Sequence, residues 1–293
     1  MPDEPRLKLG LPKGSLQEPT FALFARAGFS FKTTGRSYQP YVDDPEIEPV
    51  LLRPQEIPGY LEEGVLDCGL TGADWIADSG ADVRELCELR YSKVTNNPIK
   101  IVLAVHEDSP IHTAEDLAGK RVATEYVRLS QRIFTERGID AKVEFSWGAD
   151  EVKVPGLVDA IVVNTETGSS LRAHNLRVVE TLLTSTTRFA AGLAAWEDPW
   201  KRRKMESLEI LLTGAMRAAS LVGLKLNLPN AKRAEILGLL PAQTSPTLSP
   251  LADPEWIAAE VILSEREVRD LVPALKRAGA TAIVEYPLNK VIP

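Results

Sequence analysis

Strand-length apolar runs, each closed by a small or polar turn and followed by an amphipathic segment, recur along this chain. That alternation narrows the available folds. A helix between two strands returns the chain so that the second strand lies beside the first in the same direction. Leu7 to Leu11 reads as a buried strand. Leu16 to Gly28 reads as a helix, with Leu16, Phe21, Leu23, Phe24 and Ala27 near one face and Gly28 as its stop. Ile47 to Leu52 is a second strand, Gln55 to Glu63 a helix ended by Gly64, and Val65 to Thr71 a third strand before "TGAD" turns the chain.

A second series opens with "IKIVLAV" at Ile99. "HTAEDLAGKRVAT" predicts a short helix with Thr113 as N-cap and Asp116 three residues on, then a strand from Arg121 to Thr124. Arg128 to Arg137 is a helix closed by Gly138. Ala141 to Phe145, Ala160 to Val163 and Val178 to Leu183 are strands, and the chain returns toward the first series around Thr187 to Ala195. The pattern predicts mainly parallel sheets in two α/β lobes, 1–97 with 186–217 and 98–185. A cleft between them would take ligands at the carboxyl ends of the strands.

The style changes after a charged helix at about Lys201 to Arg217. Leu221 to Leu228 is a strand, Asn230 to Leu240 a helix, and Thr247 to Leu251 and Trp256 to Leu263 are strands. Ser264 to Ala278 is a helix opened by a Ser-x-x-Glu capping box, and Thr281 to Tyr286 is a final strand. The order βαββαβ over 218–293 predicts a ferredoxin-like domain.

Composition bounds the function. Of 293 residues, 44% are hydrophobic and 26% charged, which suffices for a core, and the net charge of −7 disfavours a nucleic-acid surface. Any anionic ligand must be met by local groups or a metal ion. Cys68 and Cys87 stand alone, as in a reducing cytosol. No apolar run has the length of a signal peptide or a membrane span, so a cytoplasmic protein is expected. His106, His112 and His174 have no zinc-site spacing.

The candidate ligand groups gather at predicted strand ends. "VDAIVVNTETGSSL" runs from a buried strand into Thr167, Gly168, Ser169 and Ser170. Such a turn aims backbone N–H groups and hydroxyls at one point, as a phosphate cradle or as a plain helix cap. It contains no lysine or arginine, and Glu166 stands at its mouth. Lys13 in "LPKGSL" and Arg53 in "LLRPQEIPG" could meet a polyphosphate. Asp74 could cap a helix or accept hydrogen bonds from a sugar or base. Tyr126 could stack on a base or simply pack.

The ordered set "LPKGSL", "LLRPQEIPGYLEEGVLDCGLTGADW", "LAGKRVATEY", "GLVDAIVVNTETGSSLRAHNLRVVE", "SPTLSPLADPEW" and "LKRAGATAIVEYPL" resembles the long form of ATP phosphoribosyltransferase over almost the whole chain. The resemblance implies a two-lobed catalytic region like type II periplasmic binding proteins and a regulatory tail that removes the need for a separate regulatory subunit. It implies that N1 of ATP attacks C1 of phosphoribosyl pyrophosphate with Mg²⁺ assistance, releasing pyrophosphate. It also implies inhibition by L-histidine and a homo-oligomer, dimer or hexamer.

Carried over by motif, Glu151, Asp159 and the 167–170 turn would hold phosphoribosyl pyrophosphate. Lys13, Arg53, Asp74 and Tyr126 would face ATP, with Lys13, Arg53 and Asp159 catalytic. Asn227, Thr247 and Ala282 would mark the histidine pocket. The resemblance names no metal ligand. Val163 occupies the place of the family's second aspartate, Glu166 that of a serine and Ser170 that of a threonine; one residue fewer separates Glu151 from Gly156. Asn164 or Glu166 would have to replace the missing acid, or binding would weaken. The competing expectation is therefore a non-catalytic cytosolic sensor or a catalytically weakened paralogue.

Overall fold

The computed structural model describes residues 5–33, 38–91, 97–241 and 245–292. Two compact units divide within one long helix, at Glu209 and Ile210. The first unit begins with β1 (Leu7–Pro12), α1 (Gln17–Ala27) and a small hairpin of β2 (Phe31–Lys32) and β3 (Tyr41–Val42). It continues with β4 (Ile47–Leu52), α2 (Ile57–Glu62), β5 (Cys68–Gly72), α3 (Ala73–Ser79) and β6 (Val83–Leu89). A second series follows: β7 (Ile99–His106), β8 (Arg121–Thr124), α4 (Val127–Glu136), β9 (Lys142–Phe145), β10 (Ala160–Thr165), α5 (Ser169–Ala173) and β11 (Leu176–Ser185). β12 (Thr187–Gly192), α6 (Leu193–Glu197) and α7 (Pro199–Ala218) complete it.

The two large sheets repeat one plan. The first is ordered β4-β1-β5-β12-β6 and the second, read from its other edge, β9-β8-β10-β7-β11. In each, three parallel strands are followed by an antiparallel strand and then an outer strand antiparallel to that one. This twofold plan, with β12 returning to the first sheet, is the two-lobed layout of type II periplasmic binding proteins.

The sheets are mainly parallel in strand direction, as expected, but not wholly so: β7 and β12 each run against the other four strands of their sheet, and every pairing they make is antiparallel. β6, in "VRELCEL", was not foreseen. Its interspersed charges hide the strand, and pairing with β12 supplies what propensity does not. The expected helix after Thr113 is a 3₁₀ turn, Ala114–Leu117, with the Thr113/Asp116 capping box in place.

The second sheet is buried on both faces. Ile101, Leu103, Val122, Ala160, Val162 and Tyr126 pack on one side. Val102, Ala104, Ala123, Ile161, Val163, Leu171 and Leu176 pack on the other. Adjacent residues of β10 therefore face opposite ways, as the two-residue strand period requires. Each buried Leu, Ile or Val contributes about 1.5–3 kcal/mol of hydrophobic stabilisation. β10 is held by both layers, and whatever its carboxyl end presents is held with it.

The second unit contains β13 (Leu221–Pro229), α8 (Arg233–Leu237), β14 (Thr247–Pro250), β15 (Trp256–Ser264), α9 (Glu265–Ala278) and β16 (Thr281–Pro287). Its sheet order, β14-β15-β13-β16, is ferredoxin-like. The Ser264 hydroxyl accepts from Glu267 N while the Glu267 carboxylate accepts from Ser264 N, closing the expected capping box. The helix expected from Asn230 to Leu240 is shorter: a 3₁₀ turn leads into five α-helical residues. Gly238 weakens the helix, and Pro241 disfavours α geometry at the residue before it.

Candidate active site

β1, β4, β5, β8 and β10 all deliver their carboxyl ends, or the residues just beyond, to one cleft of about 390 Å³ in the first unit. Lys13 and Arg53 line it, as do Asp74, Trp75, Glu125, Tyr126, Asn164, Glu166 and Ser185. Lys13 Nζ lies 3.5 Å from the centre of the Tyr38 ring, a cation–π contact. Arg53 is exposed at the end of β4. Burial, then the charge of Asp150, raises the Glu125 carboxyl above its ordinary value, against an opposing pull from Arg53.

Asp74 and Tyr126 come together as expected, but each satisfies the other. Both are 1% exposed. The Tyr126 hydroxyl donates to Asp74 Oδ2 at 2.9 Å, and the Ser185 hydroxyl donates to Asp74 Oδ1 at 2.6 Å. Asn164 Nδ2 donates to the Tyr126 oxygen at 2.9 Å. Trp75 stacks on Tyr126, with ring centres 4.4 Å apart. Tyr126 is therefore packed on Trp75 rather than open to a base on that face. Burial raises the Asp74 carboxyl, with hydrogen bonds from Ser185 and Tyr126 opposing it, and burial also raises the Tyr126 hydroxyl.

The glycine turn lies at the end of β10. Gly168 takes φ 72°, a left-handed conformation that glycine adopts without strain, and its N–H donates to Thr165 Oγ1 at 2.8 Å. The Thr167 hydroxyl donates to Ser169 Oγ at 3.1 Å. The Ser170 hydroxyl donates to Glu151 Oε1 at 2.7 Å. Partial burial pushes the Glu151 carboxyl up, but the Ser170 bond, its own backbone N–H and the charge of His174 together hold it below the ordinary value. Arg172, one residue past the quoted stretch, folds back and donates to Thr167 O at 3.0 Å. A cation thus stands beside a turn that contains none.

Asp159 is the correction. It precedes β10, at the strand's amino end, whereas the turn follows the carboxyl end. Its Oδ2 accepts from Arg121 N at 2.9 Å and its Oδ1 lies 3.7 Å from Lys120 Nζ. Six strand residues at about 3.3 Å each put roughly 20 Å between it and the turn. It ties β8 to β10 and is not a lining group of the cleft.

In the second unit, Asn227 pairs across the sheet with Thr281, beside Ala282. Ala282 has φ 45°, at a register shift between Lys225 and Asn227. Thr247 lies on the edge strand β14, separated from β13 by β15, so about 10 Å of sheet intervenes. Asn227 and Ala282 are therefore near neighbours, and Thr247 stands two strands away.

Trp75, Glu125 and Ser185 went unnoticed in the sequence. The polar run "TSTT" at the β11–β12 crossing is the signal that could have found Ser185. Among the described residues, no group of three His, Cys, Asp or Glu side chains could cage a metal ion, and no helix is long and apolar enough to cross a membrane.

Comparison with known proteins bears directly on this cleft. A family model described as ATP phosphoribosyltransferase matches residues 53–214, and one described as the HisG C-terminal domain matches 218–290. The ATP phosphoribosyltransferase of Pelotomaculum thermopropionicum is 58% identical, over 98% of this chain and 100% of its own. That of Desulforudis audaxviator is 56% identical over the same shares. A solved ATP phosphoribosyl transferase (HisG:HisZ) complex from Thermotoga maritima superposes with a TM-score of 0.61 at 26% identity, covering 72% of this chain and 98% of that one.

Proposed function

The chain belongs to the ATP phosphoribosyltransferase family, the enzymes of the first step of histidine biosynthesis, and from that premise we propose how its residues divide the work. Phosphoribosyl pyrophosphate and ATP meet in the cleft, where N1 of the adenine displaces pyrophosphate from C1 of the sugar. The nucleophile carries its own lone pair, so no serine, cysteine or histidine need attack. Positioning and charge stabilisation supply the catalysis.

The 167–170 turn takes the 5-phosphate on backbone N–H groups and hydroxyls, with Arg172 nearby and Glu151 steadying Ser170. Lys13 and Arg53 face the pyrophosphate and the ATP phosphates. Asp74 and Tyr126 hold the wall of the ATP side through their mutual bond. Magnesium enters as part of the substrate, chelated by its pyrophosphate.

The single observation that carries this reading is the convergence of five strand ends on one cleft. The test is phosphoribosyl-ATP formation followed by ultraviolet absorbance with ATP, phosphoribosyl pyrophosphate and Mg²⁺, with and without pyrophosphatase. Product that accumulates further with pyrophosphatase is expected. No product at high enzyme concentration would overturn the reading in favour of a sensor.

Residues 1–97 with 186–217 and 98–185 act as the catalytic lobes, and 218–293 as the regulatory domain, in a cytosolic homo-oligomer. L-histidine is the inhibitor, and Asn227, Thr247 and Ala282 mark its pocket. The separation of Thr247 from the other two within one chain favours a site completed by a second copy. Asn227→Ala should weaken inhibition and leave uninhibited turnover intact; unchanged inhibition would remove Asn227 from the pocket.

A further inference from the structure

The acidic groups of the cleft have different duties. Asp74 is buried and accepts from Tyr126 and Ser185. Glu125 feels Arg53, at the end of β4, as its opposing charge. Glu166 immediately precedes the turn and is the lining carboxylate closest to it in sequence. The place where the resembling family carries a second acid is Val163. Its side chain is 8% exposed and packs with Ile161, Leu171 and Leu176 on the sheet face opposite Val162. Asn164 follows on the other side, and its amide reaches Tyr126 inside the cleft.

We propose that Glu166 is the acceptor for the ribose hydroxyls of phosphoribosyl pyrophosphate, the acidic function having passed from position 163 to position 166. This rests on the phosphoribosyl reading of the cleft. A vicinal diol presents two O–H donors, and a carboxylate presents two acceptor oxygens, the pairing by which acidic residues grip ribose elsewhere. A 5-phosphate on the turn puts the sugar ring next to it, where residue 166 stands and the apolar side chain of 163 does not. Asn164 contributes an amide held in place by Tyr126, which cannot supply the charge.

The probes are ribose 5-phosphate and 2-deoxyribose 5-phosphate, each measured as a competitive inhibitor against phosphoribosyl pyrophosphate in the wild-type chain and in Glu166→Gln. Wild type should prefer the ribose form about tenfold or more, the worth of a hydrogen bond to a charged group. Glu166→Gln should lose most of that preference and raise KM for phosphoribosyl pyrophosphate while leaving KM for ATP unchanged. Equal discrimination by wild type and Glu166→Gln would overturn the assignment. Failure of either sugar phosphate to compete with wild type would instead overturn the phosphoribosyl reading beneath it. Glu166→Asp, which keeps the charge on a shorter stem, should retain part of the preference.

Discussion

The Asp74–Tyr126–Ser185 network and the 167–170 turn stand at the same carboxyl edge and are built in opposite ways. In the network, the buried groups Asp74, Tyr126 and Ser185 are paired with one another. In the turn, Thr167, Ser169 and Ser170 are exposed, and the visible bonds shape the loop rather than close it. The contrast separates a wall from a receptor. A buried network loses stability when cut, because its remaining members are left unpartnered in a medium without water. An exposed turn loses ligand affinity and little stability.

Four substitutions press on that difference. Asp74→Ala strands the Ser185 and Tyr126 hydroxyls and should cost about 3 kcal/mol of unfolding free energy by denaturant titration. A loss below about 0.5 kcal/mol would show that the network is not a wall. Tyr126→Phe keeps the ring on Trp75 but removes the hydroxyl, and should cost about 1 kcal/mol.

The pH dependence follows from the raised Asp74 carboxyl. An acid with a raised folded pKa binds its proton more tightly in the folded state. Its stabilising contribution is complete below the unfolded value near 3.8 and is lost as pH climbs toward the folded value. Wild type should therefore lose stability relative to Asp74→Asn across that window. A difference independent of pH would contradict the burial argument. Smallest of all, Ser170→Ala should change stability by less than about 0.5 kcal/mol, since its bond to Glu151 is exposed.

Most strand positions were legible because buried runs of β-branched residues cannot settle elsewhere; Ile47 to Leu52 and Arg121 to Thr124 match to the residue. β6 was not, because an outer strand can carry Arg84, Glu85 and Glu88 and draw its stability from β12. The candidate residues at strand ends could be read because polarity along a strand fixes which end meets ligand. Asp159 was misplaced because its role came with the motif: preceding Ala160, it stands at the amino end of β10, the edge away from the cleft. Val163 and Glu166 needed the structure outright, because facing is settled by the two apolar layers around β10.

The most direct test compares the two ends of β10 in one assay, the formation of phosphoribosyl-ATP across a range of phosphoribosyl pyrophosphate concentrations. Gly168→Ala puts a Cβ at φ 72° and 3.0 Å from Arg172 Nη1. That strains the turn by about 1 kcal/mol and misaims its N–H groups. KM for the sugar substrate should rise about tenfold, by the loss of one charge-assisted hydrogen bond. Asp159→Asn, normalised to folded protein, should keep kcat/KM within about twofold, having removed only a tie between strands. A large loss in Asp159→Asn with Gly168→Ala near wild type would contradict the account, placing the sugar phosphate at the opposite end of the strand.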